Sequence, residues 1–198
     1  YMGRGDMAYA RGIAPADASL GSDWQAFRPA SPVLDPVTGR VIGFEAAYEG
    51  SVRVTRGPEG PNAVTTVQAT QSLQEIGPGS LLLPQPQREL IRYVPHAPDG
   101  EVEGRVAAVY GGVRYGGAKQ IVVLNIGANA GLEPGHVLAL SSDGGHVADP
   151  TDGNRAIELP DDRYGLAYVY RVFPGVAYAL VTDASNVMKV GDIASTPR

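Results

Sequence analysis

Alternating apolar and polar residues mark several short stretches of the chain as β-strands. Residues 51–55 and 63–68 alternate clearly and residues 176–181 less strictly, and a period of two is typical of a strand with one buried face. Two short apolar runs, residues 81–83 and 120–124, are bounded by turn residues, which favours strands buried on both faces. The pattern therefore predicts a mainly β fold with few short helices.

Proline and glycine divide the chain into two parts. Residues 84–104 contain four prolines and an Asp-Gly step, which favour an extended connection. We predict an N-terminal β domain at residues 1–84, a proline-rich linker at 85–104 and a C-terminal β domain at 105–198. One short helix is predicted at about residues 87–93. Each domain is expected to be a small antiparallel β-barrel or rolled sheet, because such sheets avoid exposed strand edges.

An internal repeat supports this division. Matching steps occur in the same order in both halves: Gly12 with Gly127, Gly21-Ser22 with Gly135-His136, Asp35-Pro36-x-x-Gly39 with Asp149-Pro150-x-x-Gly153, Gly43-x-x-x-x-Tyr48 with Gly165-x-x-x-x-Tyr170, and Gly79-Ser80 with Gly191-Asp192. The separations run from 112 to 122 residues, so this alignment needs an insertion near residues 156–164. Chance matching is the alternative, because glycine is frequent.

The repeated steps also predict local conformation. A Gly–polar–apolar step occurs four times, at Gly21, Gly79, Gly135 and Gly191, and glycine there indicates a tight turn with positive φ before a strand. The two Asp-Pro-x-x-Gly segments carry the turn chemistry of hairpins, because proline fixes φ and glycine closes the turn.

Composition excludes several classes of protein. The 198 residues include 16 Lys and Arg, 21 Asp and Glu, and no cysteine, for a net charge of −5. A chain without cysteine has no disulfide, zinc–thiolate site or cysteine nucleophile. Scattered arginines on an acidic chain argue against a nucleic-acid partner, and no apolar run approaches the roughly 20 residues that span a bilayer. Because the chain begins with Tyr1 rather than methionine, we expect that upstream sequence was removed.

The candidate catalytic groups lack the spacing that a reaction needs. His96, His136 and His146 have no serine or carboxylate at a motif spacing and are predicted to lie on the surface. Five aspartates lie between residues 141 and 164, but their spacing is not that of a calcium loop. We therefore predict no catalytic residue, no metal site and no cofactor. A cell-wall hydrolase that uses Asp149, Asp152, Asp161 and Asp162 is a further alternative.

Aromatic side chains offer the candidate ligand site. Residues 111–117 are glycine-rich but lack both the P-loop and the dinucleotide-binding pattern, so they are interpreted as a hairpin tip. Tyr110 and Tyr115, beside this tip, and Trp24 could stack on the faces of sugar rings. Packing in the core or against a hairpin is the competing interpretation.

Short strings spread over nearly the whole chain carry a family resemblance. They lie at residues 26–29, 35–46, 75–79, 93–98, 121–127, 131–138, 178–181 and 190–192. As a set they resemble the region that follows the LysM module in proteobacterial LysM peptidoglycan-binding domain-containing proteins of the cell envelope. The step at residues 127–135 is also similar to the C-terminal β domain of flagellar outer-ring accessory proteins.

The resemblance implies a periplasmic or envelope-associated protein that binds peptidoglycan through a LysM module. That module is not in this chain, so no glycan-binding residue can be transferred from it. The matching region of the family has no known catalysis. We expect a non-enzymatic accessory region that acts as a spacer, scaffold or protein-docking surface, with an envelope protein as a candidate partner. Direct glycan binding by the β domains is the alternative.

Overall fold

The computed structural model describes residues 1–59, 64–86, 93–111 and 115–197. Its strands are β1 (Met7–Ala10), β2 (Asp23–Phe27), β3 (Ser31–Leu34), β4 (Val41–Glu45), β5 (Tyr48–Glu59), β6 (Val64–Ser72), β7 (Leu81–Pro84), β8 (Glu103–Val109), β9 (Tyr115–Gly116), β10 (Ile121–Leu124), β11 (Val137–Ser142), β12 (His146–Asp149), β13 (Arg155–Glu158), β14 (Asp162–Val172), β15 (Ala177–Ala184), β16 (Met188–Lys189) and β17 (Ile193–Ser195). One 3-10 turn, Ala128–Ala130, is the single helical element in these ranges. The mainly β prediction is confirmed, whereas the helix predicted at residues 87–93 falls almost wholly outside the described residues.

The chain divides into two compact units. Unit 1 consists of Tyr1–Ser31 and Phe44–Leu90, and unit 2 consists of Pro32–Gly43 and Ile91–Arg198. Most of the β3–β4 hairpin therefore belongs to unit 2, where Val33 packs against Ala107 and Val123. The boundaries predicted from the sequence did not anticipate this insertion, because a hairpin's residue pattern does not indicate which sheet the hairpin will cover.

Unit 2 is built on a closed six-stranded antiparallel barrel. The strands follow one another around the ring in the order β10-β15-β14-β11-β17-β8, and β8 pairs with β10 to close it. Leu124, Leu138, Leu140, Val106 and Val169 are completely buried in its core. Burying such a side chain contributes roughly 1.5–3 kcal/mol, so the barrel interior is the main source of this unit's stability.

Unit 1 contains a five-stranded antiparallel sheet in the order β1-β6-β5-β2-β7. Trp24, Ala26, Val52, Val54 and Ala69 form its core. β1 and β7 lie at the two ends of the order, and no described residue pairs with their outer edges. In the described residues, the unit is therefore a sheet with two open edges.

One expectation for β7 is wrong. The apolar run at residues 81–83 suggested a strand buried on both faces, but Leu81 and Leu83 are 51% and 54% exposed. The reason is that β7 is an edge strand whose single neighbour among the described strands is β2. The similar run in β10 has neighbours on both sides and is buried as predicted.

Both units use the same strand order. The sheet of unit 1 has the order β1-β6-β5-β2-β7, and five strands of the barrel follow one another in the order β10-β15-β14-β11-β17. Position by position, the strands of the two series correspond. Each set carries one hairpin, β3–β4 or β12–β13, between its second and third strands along the chain. Backbone hydrogen bonds correspond as well: Gly21 N donates to Val54 O at 2.9 Å, and Gly135 N donates to Val169 O at 2.8 Å.

The turns predicted from glycine and aspartate are confirmed. Four glycines have positive φ and lie two residues before β2, β7, β11 and β17, respectively; they are Gly21 (84°), Gly79 (93°), Gly135 (106°) and Gly191 (98°). In the β3–β4 turn, Asp35 Oδ1 accepts a hydrogen bond from Val37 N at 2.8 Å. In the β12–β13 turn, Asp149 Oδ1 accepts one from Thr151 N at 2.8 Å.

The strand order corrects one pair of the sequence alignment. Gly165 in β14 corresponds to Gly50 in β5 rather than to Gly43, because a side chain at Gly50 would collide with the Gln71 carbonyl and one at Gly165 with the Asp183 carbonyl. Gly43 has open space around it. The corrected pair is 115 residues apart, so no insertion near residues 156–164 is needed.

Gly50→Ala is expected to lower the free energy of unfolding by about 1–3 kcal/mol, because the added methyl group overpacks against the backbone of β6. The matched control is Gly43→Ala, where nothing lies within 4 Å of the added carbon and the change should stay within about 0.5 kcal/mol. Urea unfolding can be followed through Trp24, the single tryptophan of the chain, and through circular dichroism. Equal losses in both variants would contradict the corrected alignment.

Candidate functional site

The candidate ligand site is a polar groove on the outer face of unit 1. Alternation along β2 and β5 turns Trp24 and Val52 into the core and leaves Gln25 and Arg53 on the other face. The groove has a volume of about 610 Å³ and is lined by Arg4, Asp23, Gln25, Tyr48, Ser51, Arg53, Thr70, Gln71, Ser72, Leu73 and Gln85. We call it the polar groove.

A cross-strand ion pair lies in the polar groove. Asp23 of β2 is directly opposite Arg53 of β5. Arg53 Nε lies 2.7 Å from Asp23 Oδ1, and Arg53 Nη2 lies 3.0 Å from Oδ2. These hydrogen bonds from Arg53 lower the pKa of Asp23. The bidentate geometry fixes the plane of the guanidinium, whose side chain remains 52% exposed and accessible to a ligand.

Hydroxyl groups occupy the neighbouring part of the groove. Tyr48 Oη and Ser51 Oγ are 2.8 Å apart, and Thr70 Oγ1 donates to Ser51 O at 3.1 Å. The Tyr48 ring meets Phe27 edge to face with centroids 5.6 Å apart, which holds the phenol in place. Together with the ion pair, these groups form a fixed set of donors and acceptors for a polar, hydroxyl-rich ligand.

Trp24, a ligand residue predicted from the sequence, lies in the core. Its indole is 6% exposed, and Nε1 donates to Ser22 Oγ at 3.1 Å. It touches a second open cleft of about 490 Å³, which shares Asp23 and Gln85 with the polar groove. Trp24 therefore supports the residues that line the polar groove and the neighbouring cleft, and only a small part of its ring can contact a ligand.

The other two aromatic candidates belong to unit 2. Tyr110 is 38% exposed and Tyr115, in β9, is 64% exposed. Residues 112–114 of the predicted hairpin tip between them lie outside the described residues. Gly111 has a φ of 91°, as a turn after β8 requires. Both tyrosines keep accessible surface, and their role in ligand binding stays a prediction.

His136 is buried, which corrects the expectation that the histidines lie on the surface. It is 5% exposed, and its Nδ1 accepts a hydrogen bond from Glu133 N at 3.1 Å. Its ring meets His96 edge to face with centroids 4.9 Å apart, while Val137 N donates to His96 O at 2.8 Å. Burial and then the nearby His96 lower the pKa of His136, so the pair joins the segment around His96 to the barrel.

Three of the four carboxylates of the hydrolase alternative, those of Asp149, Asp152 and Asp161, serve the β12–β13 hairpin and its base. Asp149 Oδ1 accepts from the Thr151 hydroxyl at 2.6 Å, and this bond is the main cause that lowers the pKa of Asp149. Asp161 Oδ1 accepts from Gly144 N at 3.2 Å. Asp152 lies 3.8 Å from Arg155 within the same turn. The lowered pKa of Asp149 is the opposite of what a general acid needs.

Two buried acid–hydroxyl pairs escaped the sequence analysis. In unit 1, Ser80 Oγ donates to Glu49 Oε2 at 2.5 Å; in unit 2, Tyr164 Oη donates to Asp192 Oδ2 at 2.8 Å. Asp192 has no exposed surface. Burial and then the hydrogen bond to Asp192 raise the pKa of Tyr164. Ser80 and Asp192 follow Gly79 and Gly191, so the polar residue of the repeated step was the signal that could have identified them.

In the described ranges, no cluster of three or more His, Cys, Asp or Glu side chains is arranged to hold a metal ion. No helix in the same ranges has the length and apolarity needed to cross a membrane.

A scan against protein-family models finds no match to this chain, and a search of curated proteins finds none either. The fold and the candidate site therefore define the class: a mainly β protein with one closed six-stranded antiparallel barrel and a polar groove on a second antiparallel sheet.

His136→Gln is expected to reduce the loss of stability at mildly acidic pH. In the unfolded chain His136 takes up a proton near its ordinary pKa of about 6.5, but the folded protein does so only at lower pH. Stability therefore falls as pH drops below about 6.5. The thermal midpoint, measured from pH 7.5 to 5.5, should change less in His136→Gln than in the wild type.

His146→Gln is the matched control, because His146 is exposed in β12. It should keep the wild-type pH dependence of the midpoint. The assignment fails if His136→Gln also keeps the full wild-type slope.

Proposed function

We propose that this chain is a non-catalytic accessory region of a LysM-type, peptidoglycan-associated envelope protein. Its β units act as a spacer, scaffold or protein-docking surface in the periplasm or at the cell envelope. Peptidoglycan is held by a LysM module outside this chain, and an envelope protein is the candidate partner. The identity rests on the family resemblance of the sequence, and the non-catalytic role rests on the structural use of the titratable groups.

The observation that carries the non-catalytic role is that three groups suited to acid–base chemistry, those of His136, Asp149 and Asp192, are bound within the fold. Glu133 N donates a hydrogen bond to Nδ1 of His136, and the backbone N–H and hydroxyl of Thr151 donate to Oδ1 of Asp149. Asp192 receives hydrogen bonds from Tyr164 Oη and Lys189 N. A general acid or base must exchange its proton with a substrate, whereas each of these groups fixes a turn or a strand.

The common strand order supports the scaffold role. We infer that the two units are copies of one β unit, because their strands, hairpins and turn hydrogen bonds correspond. Duplication of a unit without catalytic groups adds docking surface rather than a second reaction centre.

The polar groove favours a second candidate function, direct binding of glycan strands. Arg53, Gln25 and Tyr48 present donors and acceptors on one face, and the Asp23 carboxylate holds the guanidinium in place. Saccharide hydroxyls are bound through such fixed polar groups.

Co-sedimentation with purified peptidoglycan sacculi tests the proposal. The 198-residue chain should remain in the supernatant if the wall is held by a module outside it. Sedimentation of this chain would contradict the scaffold role. It would support glycan binding by the groove if Arg53→Ala reduced the bound fraction about tenfold, a loss of about 1.4 kcal/mol, while Arg155→Ala did not.

Arg155→Ala is a suitable control because Arg155 carries the same charge in the exposed turn of the β12–β13 hairpin. A muropeptide-release assay with the same sacculi tests the hydrolase alternative. No release is expected. Release that disappeared when Asp149, Asp152, Asp161 and Asp162 were replaced by alanine would contradict a non-catalytic role.

A further inference from the structure

The two strand orders differ in one element, β8. In unit 2, β8 lies between β17 and β10 and pairs with both, which closes the barrel. The corresponding strands of unit 1 are β7 and β1. No described residue pairs with the outer edges of β7 and β1. The described residues of unit 1 therefore provide the five strands of the barrel without the sixth.

Burial differs at the positions that face this gap. In the barrel, Val122, Leu124 and Ala194 point into the core and have no exposed surface. Their counterparts in unit 1 are Ala8, Ala10 and Leu82, which pack against the core but stay only partly buried. A strand at this position would cover them, so the open edge costs unit 1 apolar burial that unit 2 obtains from β8.

The apolar surface along the edges is also exposed. Leu81 and Leu83 on β7 are 51% and 54% exposed, and Met7 and Tyr9 on β1 are 66% and 75% exposed. An open edge with free backbone donors and acceptors and apolar side chains is a template for an added strand.

The chain before β1 corresponds closely to the chain before β10. Gly3 N donates to Asp6 Oδ2 at 2.8 Å, and Gly117 N donates to Gln120 Oε1 at 2.7 Å. Met2 forms an antiparallel bridge with Ile76, as Gly116 pairs with Met188. Tyr1 thus takes the position of Tyr115, and β8 lies a few residues before Tyr115 in the chain.

We propose that the gap between β7 and β1 is a strand-docking site that takes up one extended polypeptide segment, supplied in cis by residues joined directly to Tyr1, and that this strand closes unit 1 into a six-stranded barrel. The assignment of the occupant rests on unit 2, where β8 precedes the first strand of the ring and runs antiparallel to it. It does not depend on peptidoglycan or on the proposed scaffold role.

β8 also defines the chemistry of the occupant. Gly104 and Val106 are buried, and a side chain at Gly104 would meet the Ile126 side chain. Arg105, between them, is only partly buried. The docking strand therefore needs small apolar residues at alternate positions, and charged or polar residues are tolerated between them.

The test adds a second copy of residues 103–114, which include β8, directly before Tyr1. Amide hydrogen exchange of β7 and β1 is measured in the chain with and without this extension. Exchange at Leu82 should slow by about tenfold or more, because its N–H lies on the open side of β7 and becomes paired. The Leu83 N–H, like that of Gln85, already faces β2. Exchange in β10 and β15 should not change, which shows that unit 2 stays folded in every variant.

The matched control carries Val106→Asp within the added copy, so that length and position are kept but the inward apolar residue is lost. This control should leave exchange in β7 at the rate of the unextended chain. Equal exchange with and without the extension, or equal protection by the control, would overturn the strand-docking site. Equal protection by the same segment added as a free peptide at equimolar concentration would overturn supply in cis.

Discussion

The pairing of strand edges is the constraint on which this structure depends. A backbone N–H or C=O that is removed from water needs a hydrogen-bond partner, and a β-sheet leaves two edges unless it closes into a ring. In unit 2, β8 joins β17 to β10, and every strand of the ring then has two neighbours. The completely buried core of leucine and valine follows from that closure.

The same constraint explains how the two units differ. Unit 1 has the strand order of the barrel but keeps two open edges in the described residues, and its edge leucines are half exposed. Both units fix the turn before their last strand to the interior through a buried acid–hydroxyl contact, Glu49 with Ser80 and Tyr164 with Asp192. In unit 1 the acid lies on a strand and the hydroxyl in the turn, whereas in unit 2 the hydroxyl lies on the strand and the acid in the turn. The contact is therefore kept although both residue types have changed.

Local patterns predicted much of the secondary structure but little of the candidate site. Period-two alternation identified parts of β5, β6 and β15, and the glycine steps identified four turns with positive φ. The polar groove was not predicted, because its residues come from separate strands and carry no motif. Trp24 was a candidate for stacking on sugar rings, with packing in the core as the competing interpretation. It packs in the core, and the sequence could not decide between the two because the residue type fits both. His136 was expected on the surface, but it is buried against His96. The sequence did not reveal this contact, because the two residues lie 40 positions apart.

The sequence by itself determined the local features: short strands, tight turns at glycine and Asp-Pro, and a chemistry without cysteine. These depend on the backbone preferences of a few adjacent residues, which are present in any fold. Only the tertiary structure decided that β8 closes one ring, that β7 remains an edge, and that Gly50 rather than Gly43 corresponds to Gly165. Those outcomes depend on which distant strands lie side by side, because a strand's burial is set by its neighbours as much as by its own residues.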